Sequence, residues 1–128
     1  MENYGKTEFA TQFRNRTKKF VVDNIRFYRT LPKTDEGKII GKQLLRSSSS
    51  VGSNYRAACR ARSQGEFYSK LSIVVEEADE SVFWMEVMEE ADVVKPNEVF
   101  KLKSEALEIL KVLSTARKTI AEKNIKRK

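Results

Sequence analysis

The chain has 128 residues, a formal net charge of +7, 40% hydrophobic and 34% charged residues, and only five glycines and two prolines, which fits one domain and a helical chain more than a disordered one. It has no histidine, so the commonest general base, metal ligand and near-neutral switch are missing. Its one cysteine, Cys59, cannot make an internal disulfide and points to a reducing cytoplasm, and no run reaches the roughly 18 apolar residues of a membrane span, so no membrane partner is expected.

The first helix is predicted over about 8–31, from Phe9, Phe13, Phe20, Phe27 and Leu31 at helical spacing, with Val21, Ile25 and Tyr28 widening the stripe. Pro32 stops it, because the residue before a proline resists helical geometry. Thr34 or Asp35 then offers an N-cap, and Asp35 and Glu36 suit a helix start.

The second helix, about 36–62, contains "RSSSSVGSNYRAACRARS", which reads at first as a flexible linker with a basic end. At about 100° per residue its side chains instead sort into three faces. Ile40, Leu44, Val51, Tyr55 and Ala58 form an apolar stripe. Gln43, Ser47, Ser50, Asn54, Ala57 and Ala61 form a small, polar stripe. Lys38, Lys42, Arg46, Ser49, Ser53, Arg56 and Arg60 form a third, basic stripe, and Arg62 follows it. A linker has no reason to sort in this way. The serines and Gly52 cost helix propensity on the order of a few kcal/mol, so packing must offset them.

Ser63-Gln64-Gly65-Glu66 has the form of a capping box, so a third helix, about 64–92, starts almost at once. So short a link folds it back antiparallel on the second. Residues whose numbers sum to about 128 then lie side by side, Ser47 against Ser81, Ser50 against Ala78 and Arg46 near Glu80. Phe67, Leu71, Val74, Val75, Ala78, Val82 and Met85 are its expected core face. Residues 66–92 hold nine acids against Lys70 alone, a net charge of −8, which leaves 24 bases and nine acids, +15, on the remainder. Such asymmetry suits a polyanion partner or a surface of opposite sign.

Pro96-Asn97-Glu98 opens a fourth helix, about 97–122, with Leu102, Ala106, Ile109, Leu110, Leu113, Ala116 and Ile120 facing inward, ahead of a basic tail over 123–128. The fold class expected is all-α, a single up-down-up-down antiparallel four-helix bundle over 1–128.

Two surfaces carry chemistry. The basic stripe, Lys38, Lys42, Arg46, Arg56, Arg60 and Arg62, would make charge-assisted bonds to a phosphate backbone, with Ser49 and Ser53 letting it approach. Its other reading is a solvated face, or a contact with the acidic third helix of another copy. No aromatic residues alternate with the cations, which argues against a base-stacking platform. Glu77 and Glu80 share a face with Ile73 and Trp84. Without histidine they make a poor metal or acid–base pair, and pairing with Arg46 is the expected role. No cofactor, metal or catalytic residue is expected. Phe83 and Trp84 lie off the core stripe and suit either a flank of the bundle or, the favoured reading, a subunit interface. Cys59 sits among arginines that favour its thiolate, but a buried, inert thiol is expected.

The run "LPKTDEGKIIGKQLLRSSSSVGSNYRAACRARSQGEFYSKLSIVVEEADESVFWMEVMEE" resembles the 23S rRNA-intervening-sequence protein family of bacteria, whose members are often called four helix bundle proteins. The match extends from about Phe13 to Glu90. The resemblance implies a homo-oligomeric bundle, a pentameric ring, with no established catalysis. The family is also similar to the accessory variability proteins of diversity-generating retroelements, which work with a reverse transcriptase and nucleic acid. Gln43, Arg46, Ser50, Asn54, Glu77, Glu80 and Trp84 match the family's positions and are placed by it at helix or subunit contacts, as Ser47 is by register. The functional expectation is a non-catalytic, cytoplasmic, self-associating bundle that binds RNA or DNA through phosphates. The alternative is a protein-binding scaffold whose basic stripe meets an acidic partner or neighbouring subunit.

Overall fold

The computed structural model describes residues 4–127, their side chains as far as Lys123; Lys128, the end of the expected basic tail, lies outside the described residues. Four helices and no strand are present among the described residues: α1 (Glu8–Tyr28), α2 (Asp35–Cys59), α3 (Gln64–Glu90) and α4 (Pro96–Arg127). The serine run lies inside α2, so that stretch is helix and not tether.

Side-chain caps fix three of the starts. Thr7 accepts from the Ala10 N–H, Thr34 from the Gly37 N–H and Ser63 from the Glu66 N–H, at 3.0, 3.1 and 3.0 Å. Thr34, not Asp35, is therefore the cap of α2. The expected capping box at Ser63 is half formed, because the Glu66 carboxylate turns to Arg62 at 3.4 Å instead of reaching back to the cap N–H.

The ends of α1 and α2 fall three residues short of those expected. After Tyr28 the chain tightens, with Thr30 N–H on Phe27 O and Leu31 N–H on Tyr28 O. After Cys59, Arg60 and Ala61 do the same on Ala57 and Ala58. Helix α3 ends in a Schellman turn. Asp92 takes φ 57°, its N–H bonds to Glu89 O at 3.1 Å, and Val93 N–H bonds to Met88 O at 2.8 Å. Helix α4 continues to Arg127 through most of the expected basic tail.

Each helix turns a seam inward. On α1 the seam is Ala10, Phe13, Thr17, Phe20, Asn24 and Phe27, continued by Leu31 just past the helix end, all buried at alternating steps of three and four. Thr17 and Asn24 complete the register that the phenylalanines begin. They are tolerated because Thr17 Oγ1 donates to Phe13 O at 3.1 Å and Asn24 Nδ2 to Phe20 O at 2.8 Å. Phe9 and Ile25, expected inside, are exposed. From the other helices come Leu44, Val51 and Tyr55; Leu71, Val74, Ala78, Met85 and Met88; and Val99, Ala106, Ile109 and Leu113. Each large buried side chain contributes about 1.5–3 kcal/mol.

The helices contact one another in a closed cycle, α1 on α2, α2 on α3, α3 on α4 and α4 on α1, which is consistent with a bundle. Arg16 closes the last of these contacts with a two-pronged grip on Glu105, both bonds at 2.7 Å. No helix among the described residues is long and apolar enough to cross a membrane.

Candidate functional site

Helix α2 divides its small residues between two neighbours. Toward α3, Ser47 Oγ and Ser81 Oγ share a hydrogen bond at 2.9 Å, fully buried. This is the pairing the register predicts. Gln43 is half-buried; Ser50 and Asn54 bond to each other within α2, Asn54 Nδ2 reaching Ser50 Oγ at 2.8 Å. Toward α1, Gly52 marks a close approach. A Cβ there would lie 2.6 Å from Val21 Cγ2 and 3.3 Å from Thr17 O. What reads in sequence as a costly break in a helix is the place where α1 comes down on α2.

Above that contact lies a groove of about 750 Å³ between α1 and α2. Val21 and Gly52 are part of its lining. One wall is Arg14 and Lys18 of α1, and the other is Ser49, Ser53, Arg56 and Arg60 of α2. The segment before α1 closes one end and brings in Lys6. Tyr4 stacks on Phe67 with ring centroids 4.3 Å apart. Gly5 sits so close to the Cys59 carbonyl that a Cβ would approach it to 2.3 Å. The Gly5 carbonyl in turn accepts from Arg14 Nη1, while Arg14 Nη2 donates to Thr11 Oγ1 at 3.1 Å. Arg14 is thus held in place before any ligand arrives.

Five cations therefore line the groove, Lys6, Arg14, Lys18, Arg56 and Arg60, and no acid lines it. Among the described residues none of the five is in an ion pair. Five unneutralised charges, four on the two walls and one at the end, repel one another and attract an anion strongly.

The expected basic stripe is split by the structure. Arg56 and Arg60 face the groove, with Ser49 and Ser53 on the same wall. Arg46 turns the other way. Its guanidinium pairs with Glu80 and lies 3.5 Å from Glu77 Oε2. Arg62 pairs with Glu66. Lys38 and Lys42 are exposed near the start of α2, outside the groove. The side chain of Arg46 is long enough to reach the acids that α3 presents, and their charge draws it. Burial raises the pKa of Glu77, which Arg46 opposes and Glu80 and Glu76 reinforce.

Lys6, Arg14 and Lys18 are not part of the stripe read from α2. The i, i+4 spacing of Arg14 and Lys18 is visible in sequence, but nothing local shows that their face meets Ser49 and Ser53. Cys59 is buried at the groove's inner edge beside Tyr55, whose phenol is raised by burial first and then by the thiol. Phe83 is 52% exposed. Trp84 stacks edge-on against it at 4.9 Å, and its buried indole N–H has no hydrogen-bond partner among the described residues. No group of three or more Cys, Asp or Glu able to hold a metal occurs among the described residues.

Among curated proteins none matches the chain. The chain is similar to a solved structure from Bacteroides thetaiotaomicron VPI-5482, a protein of unknown function from the S23 ribosomal protein family, with 28% identity and a TM-score of 0.77 over 82% of this chain and 97% of that one. The model of the 23S rRNA-intervening sequence protein family matches residues 11–115, which span α2, α3 and most of α1 and α4. The chain belongs to the 23S rRNA-intervening sequence protein family.

Proposed function

We propose that the protein is a non-catalytic, cytoplasmic, self-associating bundle that binds RNA or DNA through its phosphates, at the groove between α1 and α2. The observation that carries this reading is the set of five cations, free of ion pairs among the described residues, around a groove with no acid in its lining. Phosphate contacts from Lys6, Arg14, Lys18, Arg56 and Arg60 give affinity without sequence reading. Lys38 and Lys42 add charge further along α2, and Arg46 and Arg62 contribute less because each already holds an acid.

Helices running up-down-up-down belong to the same reading. It is supported by Gly41 against Tyr28 and Leu31 and Gly52 against Thr17 and Val21, numbers that rise on one helix as they fall on the other. Self-association, as the pentamer that the family resemblance implies, is supported by exposed Phe83 beside half-buried Trp84. The resemblance also implies kinship with accessory variability proteins, basic partners of a reverse transcriptase, and such kinship would fit the same function.

One observation favours a second reading. Glu76, Asp79, Glu86 and Glu90 on α3 are exposed and in no ion pair among the described residues, so the groove of one copy has an acidic surface to meet on a second copy. The test is charge reversal. Arg56→Glu with Arg60→Glu removes two exposed cations from one wall and adds two acids. The expected result is at least a tenfold loss of RNA and DNA binding in a gel-shift assay, with an unchanged helical spectrum and oligomer size. Unchanged affinity rejects the groove as the binding site. A smaller oligomer with no nucleic acid bound by the wild type favours the scaffold.

A further inference from the structure

From the shape and chemistry of the groove we infer that its occupant is one single strand of nucleic acid, held by its backbone with the bases turned to solvent; this rests on the nucleic-acid reading above and narrows it. The cations stand on both walls. Arg14 and Lys18 recur four residues apart on α1, and Arg56 and Arg60 do so on α2, which spaces the charges about 6 Å apart along each wall. From Ser49 to Arg60 the α2 wall runs about 16 Å, and each of the five lining cations can neutralise one phosphate of a strand.

A strand lying between the walls meets cations from both sides. A duplex is a convex rod whose two backbones flank grooves about 6 or 12 Å wide. It would ride on the rims and leave the contact between Gly52 and Val21, where the two helices touch, uncovered. The lining also has no ring on which a base could stack. It contains no aromatic side chain and no carboxylate, its one amide is that of exposed Asn15, and Val21, Val22, Gly52 and Cys59 supply its apolar part. Stacking platforms for single strands depend on aromatic rings, so here the backbone is the part gripped and base identity matters little.

The experiment uses the full chain and measures fluorescence anisotropy of labelled oligo(U), oligo(A) and a duplex of equal length across a salt series. Linear inorganic polyphosphate serves as competitor. The two single strands are expected to bind within about threefold of each other and at least tenfold more tightly than the duplex. Polyphosphate displaces them, and log K falls against log salt with a slope of about −3.5 for five phosphates on a single strand. Lys18→Glu and Arg56→Glu, both at exposed sites, each shallow that slope while keeping the helical spectrum. Duplex bound as tightly as single strand overturns the inference and leaves the nucleic-acid reading standing. A strong base preference, or no displacement by polyphosphate, overturns it in the same way. Absence of binding to all three probes overturns both.

Discussion

Gly52→Ala tests the contact on which the groove is built. In an isolated helix the change is favourable by about 0.8–1.0 kcal/mol, because alanine loses less freedom on folding. Here the new Cβ would lie 2.6 Å from Val21 Cγ2 and 3.3 Å from Thr17 O. Val21 is β-branched and stiff at χ1, and the Thr17 carbonyl cannot retreat unless α1 moves. Overpacking of this kind costs about 1–3 kcal/mol, so the net expectation is a loss of about 1 kcal/mol. Val21→Ala removes the nearest obstacle. The double variant should therefore be more stable than the two single changes predict, with a coupling of about 1 kcal/mol. Urea titrations followed by far-UV circular dichroism at one protomer concentration supply the numbers. Stabilisation of Gly52→Ala by the full helix-propensity gain, with no coupling to Val21, would mean that α1 and α2 do not meet there.

Two further variants probe other parts of the account. Asp92 holds φ 57° at the end of α3, where a side chain crowds the following carbonyl, so Asp92→Gly should raise stability by up to about 1 kcal/mol in the same titration. Burial holds the Glu77 carboxyl above its ordinary value of 4.5, against the pull of Arg46, so the folded state binds that proton more tightly than the unfolded state. Its stabilising effect is fully present below 4.5 and is lost as pH rises through the raised value. Glu77→Gln should remove that fall, and urea midpoints measured between about pH 4 and about pH 7 will show whether the slope flattens.

Much of the fold is legible in the sequence because it rests on local spacing. Phe13, Phe20 and Phe27 mark the seam of α1, and Ser63 places the start of α3 without reference to anything distant. The Ser47–Ser81 and Arg46–Glu80 pairs follow from one short link and a residue count. The groove is less legible because it belongs to two helices at once. A wheel drawn for α2 sorts Arg46 with Arg56 and Arg60, yet the acids of α3 capture the first and leave the other two facing α1. Arg14 and Lys18 carry no mark that sets them apart from the other cations of α1. Thr17 and Asn24 escape a hydrophobicity pattern because they are polar, and they are buried only because each hydroxyl or amide bonds back to its own helix. Gly52 carries its meaning in the missing atom, which only the neighbouring helix reveals.

Lysine footprinting puts the groove itself to the test. The chain is acetylated with and without a saturating single strand of about five nucleotides, and each lysine is quantified by mass spectrometry. Lys6 and Lys18 line the groove, whereas Lys38 and Lys42 are exposed but lie outside it. The account predicts strong protection of Lys6 and Lys18 with Lys38 and Lys42 reacting as before. Equal protection of all four, or protection confined to Lys38 and Lys42, would contradict it.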